Sequence, residues 1–173
     1  MEFNTRTPEK DLLIKNLINQ YIKQYQSQPQ EIELNKKYKQ LYDETQNLIN
    51  TKCKEEIDKL NELSKYINQN KNSKPTIEKG KENEIKKALE SFELCKLQYS
   101  IPLNKTNEFN SFANGIFIKQ LNICLDNCDK SNSSNYEECY KQCFDNGFKY
   151  THCSIVYSIN ILIDEMLLNI KKL

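Results

Sequence analysis

Turn-forming residues are scarce in this chain, with three glycines and four prolines among 173 residues. A fold of short strands joined by tight hairpins needs more of both, so all-β architectures are disfavoured. Excess charge of one sign is also missing, because 25 basic side chains face 24 acidic ones. The balance holds on both sides of Pro102, which leaves no basic field for nucleic acid and no acidic tail. No run approaches the roughly 20 apolar residues that span a bilayer. The greasiest, Ile155 to Ile163, is interrupted by Ser158 and Asn160 and followed by Asp164 and Glu165. No transmembrane segment is therefore expected. The opening residues MEFNTRTPEKDLLIK carry one arginine and the acids Glu2 and Glu9, unlike a secretory signal or a mitochondrial presequence. The single histidine, His152, reads as a packing residue, and no C-x2-C pair is present. Reactive-thiol catalysis is therefore not expected.

What is present is helical periodicity. Five helices can be read. The first opens at Thr7-Pro8, a capping hydroxyl followed by proline at the first helical position. It carries Leu13, Leu17, Ile18, Tyr21, Ile22 and Tyr25 at helical spacing, and the polar run around Pro29 ends it. The second spans about 31–70, with Leu34, Leu41, Ile49, Cys53, Ile57 and Leu60 on its stripe. After a polar break, 70–76, the third bears Ile85, Leu89, Phe92, Cys95 and Tyr99. Ile101-Pro102 divides the chain into an N-terminal extension, 1–102, and a second domain, 103–173. The fourth helix is expected from about Thr106 to Cys128. The fifth should start at Ser134 or Asn135, where Ser-Asn-Tyr-Glu forms a capping box, and run to about Lys171. The fold class is all-α: a helical hairpin preceded by a longer one. The stripes themselves are what ordinary helix packing requires.

Four of the seven cysteines form the stretch CLDNCDKSNSSNYEECYKQC, as C-x3-C, ten residues, C-x3-C. Residues four apart share a helical face, so each pair points one way. A short polar loop at 129–133 permits only an antiparallel return. Folding there sets Cys128 against Cys139 and Cys124 against Cys143, two nested disulfides. The inner bridge closes a loop worth roughly 3 kcal/mol in the chain-entropy model. A tetrahedral zinc site made by the same thiols stays open, although structural zinc more often uses two-residue knuckles.

This twin C-x3-C hairpin, flanked by apolar helices, resembles the small Tim proteins of the mitochondrial intermembrane space, over roughly the last two-fifths of the chain. The resemblance implies an oxidising compartment, import by disulfide relay, the nested bridges Cys124–Cys143 and Cys128–Cys139, and assembly with sister proteins into a hetero-hexameric ring. It implies no enzymatic activity and no cofactor. About 100 residues of charged helix precede the hairpin, which a free carrier does not need. The expected function is therefore a structural accessory subunit of a respiratory complex, peripheral to the inner membrane on its intermembrane-space side. The alternative is a soluble chaperone for hydrophobic membrane-protein precursors. Partner contacts are expected from Phe117, Leu121, Phe148, Ile155, Ile159 and Leu162. Phe117 and Leu121 lie on the helical face of Cys124 and offer a docking patch for the relay oxidoreductase, or else simple core packing.

The same mirror logic applies to Cys53 and Cys95, whose midpoint falls beside Pro75. Antiparallel packing about that point would set them level, as a third bridge or as two buried free thiols. Cys153 mirrors onto Asn114 and is expected to stay free.

Overall fold

The computed structural model describes residues 6–70, 79–131 and 135–173. Helices follow one another as α1 (Pro8–Gln26), α2 (Pro29–Lys52), α3 (Lys54–Asn70), α4 (Lys79–Tyr99), α5 (Ile101–Lys130), α6 (Tyr136–Asn146), a π-helical turn (Gly147–His152) and α7 (Cys153–Ile170). No strand occurs among the described residues. With cystines joining α5 to α6, the fold is the all-α, disulfide-linked helical hairpin that the sequence pattern predicts.

Several boundaries differ from the sequence expectations, each for a local reason. Thr7 occupies the N-cap of α1 in extended geometry, but its hydroxyl makes no capping hydrogen bond; Pro8 at the first turn is enough to set the start. Pro29 opens α2, two residues before the expected start, again as a first-turn proline. The long second helix is interrupted only at Cys53, across which backbone bonds to Ile49 (2.8 Å) and from Ile57 (3.0 Å) continue the ladder. The boundary at Ile101-Pro102 separates α4 from α5, but α5 opens at Ile101 itself instead of near Thr106, with Pro102 in its first turn, where a missing N–H costs nothing. The expected fifth helix is divided by the π turn, in which the Cys153 amide reaches back to the Phe148 carbonyl. Ser134 of the expected capping box and the break at 71–76 lie outside the described residues.

The chain forms two compact units, one of Met1–Tyr38 with Thr106–Asp164, the other of Lys39–Lys105 with Glu165–Leu173. The division expected near Pro102 is thus not the one compactness follows. In the first unit Leu17 and Tyr21 of α1 are buried with Leu125, Cys128, Tyr140, Cys143, Phe144 and Phe148. Tyr21 stacks on Phe144 (5.5 Å between centroids) and on Phe148 (5.3 Å). Aromatic pairs at these separations add to the stabilisation from burial alone. In the second unit Leu41, Ile49, Cys53 and Ala88 are buried, and α3 and α4 pack together.

Tyr136–Ile170 runs as 35 helical residues and holds a window of mean hydropathy 1.4, long and apolar enough to cross a membrane by length and composition. Ser158 and Asn160 interrupt that window without outweighing its isoleucines, leucines and valine. Only 28% of the window is buried.

Candidate partner-binding site: a disulfide-clamped hairpin

Helical spacing aims Cys124 and Cys128 at α6, and Cys139 and Cys143 at α5. The structure joins Cys124 to Cys143 and Cys128 to Cys139, with Cα separations of 5.8 and 5.9 Å. The two cystines lie side by side, Cys128 Sγ being 3.6 Å from Cys143 Sγ. Since both sulfurs are already in disulfides, this is packing and not a hydrogen bond. Cys53 and Cys95 form the third bridge, with a Cα separation of 5.9 Å. Cys153 is free and exposed.

At the loop end of the hairpin, a polar cluster that sequence reasoning missed ties α1 down. Asp129, 9% exposed, accepts hydrogen bonds from Arg6 Nε (2.9 Å), Lys10 Nζ (2.7 Å) and the Tyr140 hydroxyl (2.5 Å). Arg6 also pairs with Asp126. Burial pushes the Asp129 carboxyl up, but the hydrogen bonds from Lys10, Tyr140 and Arg6 outweigh it and hold the group below its ordinary value of 3.8. Tyr140 is driven the other way: burial, then its bond to Asp129, raises its pKa to about 12. Tyr21, which donates to Asp145, is raised to about 12 by burial and that bond. The one available signal was that Arg6 is the only arginine in a lysine-rich chain. A fork of donors suits a carboxylate shared between partners better than an ammonium does.

The six candidate partner residues divide. Phe148 and Ile159 are buried core, which removes them as free contact surface; Ile155 and Leu162 are half-buried. Phe117 and Leu121 pack on the edge of the core, Phe117 lying edge-on to Phe148 at 5.1 Å. A Cβ at Gly147 would sit 3.3 Å from the Phe117 ring, so a larger residue there would require the ring to give by a few tenths of an ångström.

α1 covers the flank that carries Tyr140, Phe144 and Phe148. Another groove, between α5 and the π turn with the start of α7, is open. Phe109, Phe112 and Ile116 face Tyr150, Ser154 and Ile155 across a space of about 400 Å³. It continues into a space of about 290 Å³ beside Phe117, Leu121 and the Cys124–Cys143 bridge. The Thr151 hydroxyl, bonded to Gln120 Oε1 at 3.2 Å, lies where the two meet. Among the described residues no charged side chain lines either space, in a protein of which 28% of residues are charged. Phe112 and Tyr150 are 68% and 62% exposed. The groove is thus open, aromatic and uncharged among its described lining residues.

Among the described residues no group of three or more His, Cys, Asp or Glu side chains could hold a metal ion. With all four twin-motif cysteines in disulfides, the zinc alternative lacks thiolate ligands in this state. No family model, no curated protein and no solved structure matches the chain.

Proposed function

We propose that the protein is a non-enzymatic structural subunit, a small-Tim-like module fixed in a respiratory assembly of the mitochondrial inner membrane and facing the intermembrane space. The observation that carries this reading is the position of α1. It lies along one flank of the hairpin, clamped by Arg6 and Lys10 on Asp129, where a free carrier would need that flank open. The remaining charge-free groove then serves a permanent neighbour, either a sister small-Tim-like protein in a ring or a subunit of the complex. The apolar helix Tyr136–Ile170 suits a place against the membrane. Exposed Phe112 and Tyr150 favour a second reading, a soluble chaperone whose groove takes apolar precursor segments.

Native electrophoresis after gentle solubilisation of mitochondria separates the two. Co-migration with a respiratory complex supports the fixed subunit; migration as a small soluble hexamer supports the chaperone. Recovery from a reducing compartment with seven free thiols removes both.

A further inference from the structure

An ion pair joins the first turn of α2 to the π turn, at the elbow where α1 gives way to α2. Gln28 closes the elbow by bonding its amide to the Tyr25 carbonyl (3.0 Å), and the amides of Glu31 and Ile32 bond back to the Gln28 carbonyl (3.1 Å each). Glu31 stands in the first turn of α2, where the helix dipole favours a negative charge. Its Oε1 lies 2.5 Å from His152 Nε2, at the end of the π turn, and the two side chains are 15% and 21% exposed. Three rings lie about the imidazole: Phe148, Tyr25 and Phe117, with centroids 5.3, 5.8 and 5.9 Å away.

Histidine is the side chain that changes charge between about pH 5 and 8, and this chain has one. What His152 touches holds the ring more tightly when it is charged. A neutral imidazole can keep its hydrogen bond to Glu31, but a bond between two ionised partners is roughly twice as strong. Aromatic rings within about 6 Å also attract a cation. The remaining charged or titratable groups around the elbow are engaged, neutral or exposed. On α2, Lys37 is held by Asp164 of α7 at 2.7 Å, and Glu33 is exposed. On the π turn, Lys149 lies over the Tyr150 ring at 5.3 Å. Burial raises the Tyr25 hydroxyl of α1, which keeps it neutral. Cys153 of α7 is a free thiol, and α5 presents the uncharged Phe117.

We infer that Glu31 and His152 form a pH-responsive latch: the imidazolium seats the α1–α2 elbow on the π turn, and loss of its charge loosens the elbow while the disulfide-clamped hairpin stays folded. The latch goes beyond the proposed function and does not rest on it. Its sign is that of a histidine gaining a carboxylate on folding, which stabilises where it is charged and loses that contribution as pH rises. The clamp on Asp129 is silent in this range. Asp129 titrates below 3.8, and Tyr21 and Tyr140 near 12.

The test uses the oxidised full chain between about pH 5.5 and 7.5, short of the ~8.5 at which an ordinary thiol ionises. With one histidine in the sequence, its imidazole proton signals are unambiguous. Glu31→Gln should move their titration toward acid by about 0.5 pH unit or more. Amide hydrogen exchange, corrected for intrinsic rates, reads the elbow itself. Protection of the Gln28 and Ile32 amides should fall at least about threefold from pH 5.5 to 7.5, while that of Cys143 in the hairpin holds steady. In Glu31→Gln and in His152→Gln the pH dependence at the elbow should shrink to below about 1.5-fold. An imidazole that titrates identically with and without Glu31 overturns the latch. So does wild-type elbow protection that is flat with pH, or that falls in step with Cys143, or that keeps its full pH dependence in both variants.

Discussion

The hairpin of α3 and α4 is joined by one bridge, Cys53–Cys95, across 42 residues of sequence; that of α5 and α6 is joined by two, across 19 and 11. Their side chains differ as much as their cystines. Ala88 is the buried apolar residue of α4, while Leu89, Leu94 and Leu97 are exposed. Lys81–Glu84, Lys86–Glu90 and Lys96–Glu93 dress its surface. In the other hairpin Leu125, Tyr140 and Phe144 are at most 1% exposed, and rings from α1 add to them. The first hairpin owes its closure mainly to a covalent staple over a long loop. The second has a core, and its staples fix register and orientation.

That contrast can be broken from either side. The largest expected effect is in the packed hairpin: Phe144→Ala should lower the unfolding free energy by about 3–5 kcal/mol. Leu94→Ala in the other should change it by less than about 0.5 kcal/mol. Urea unfolding of both variants checks the pair, and equal losses would erase the distinction. Bridge removal should reverse the order. Replacing Cys53 and Cys95 together by serine should cost about 4 kcal/mol in the chain-entropy model, because the loop is long. Replacing Cys128 and Cys139 should cost less than about 3 kcal/mol, since the retained Cys124–Cys143 bridge still restrains the same segment. A larger loss from the inner nested pair would show that its role is in native packing.

A smaller effect is expected at the clamp. Asp129→Asn keeps an acceptor for Tyr140 but loses the charge facing Arg6 and Lys10, and should cost about 1–2 kcal/mol. The pH dependence follows from the lowered pKa of Asp129. A carboxylate whose folded pKa lies below its unfolded one stabilises fully above the unfolded value. It loses that contribution as pH falls through the folded value. Wild-type stability should therefore drop below about pH 4 more steeply than that of the asparagine variant. At the alkaline end the sign reverses. Tyr21 and Tyr140, raised to about 12, stabilise fully below the ordinary tyrosine range near pH 10 and lose that contribution as pH climbs to about 12. Absorbance titration should show late-ionising tyrosines, Tyr21 and Tyr140 together with Tyr25, which burial also raises, and Asp129→Asn should bring Tyr140 earlier.

Much of the helical content was legible because the period of apolar residues is local information. So was the partner of each twin-motif cysteine, since a short loop and equal spacing leave one antiparallel arrangement. The position of α1 was not legible. Leu17, Tyr21 and Tyr25 announce an apolar stripe, but periodicity does not say which distant surface receives it. The π turn was hidden too: Gly147 reads only as a weak helix residue, and nothing in the apolar period of 147–152 signals the wider turn. Pro102 marked a helix boundary, with α4 ending at Tyr99 and α5 opening at Ile101, but a first-turn proline does not say how helices group into compact units. Phe148 and Ile159 were assigned to a surface for want of the same long-range knowledge.

The clamp of α1 also sets an order of events during synthesis. Arg6 and Asp129 are separated by 123 residues, so the first helix leaves the ribosome long before its seat exists. Each helical hairpin can form from neighbours already made, and such local contacts are the fast ones. The Arg6–Asp129 contact cannot precede residue 129, and the ring stack of Tyr21 on Phe144 cannot precede residue 144. Until then Leu17, Tyr21 and Tyr25 have no native partner on α6, and the growing chain presents them to whatever receives it.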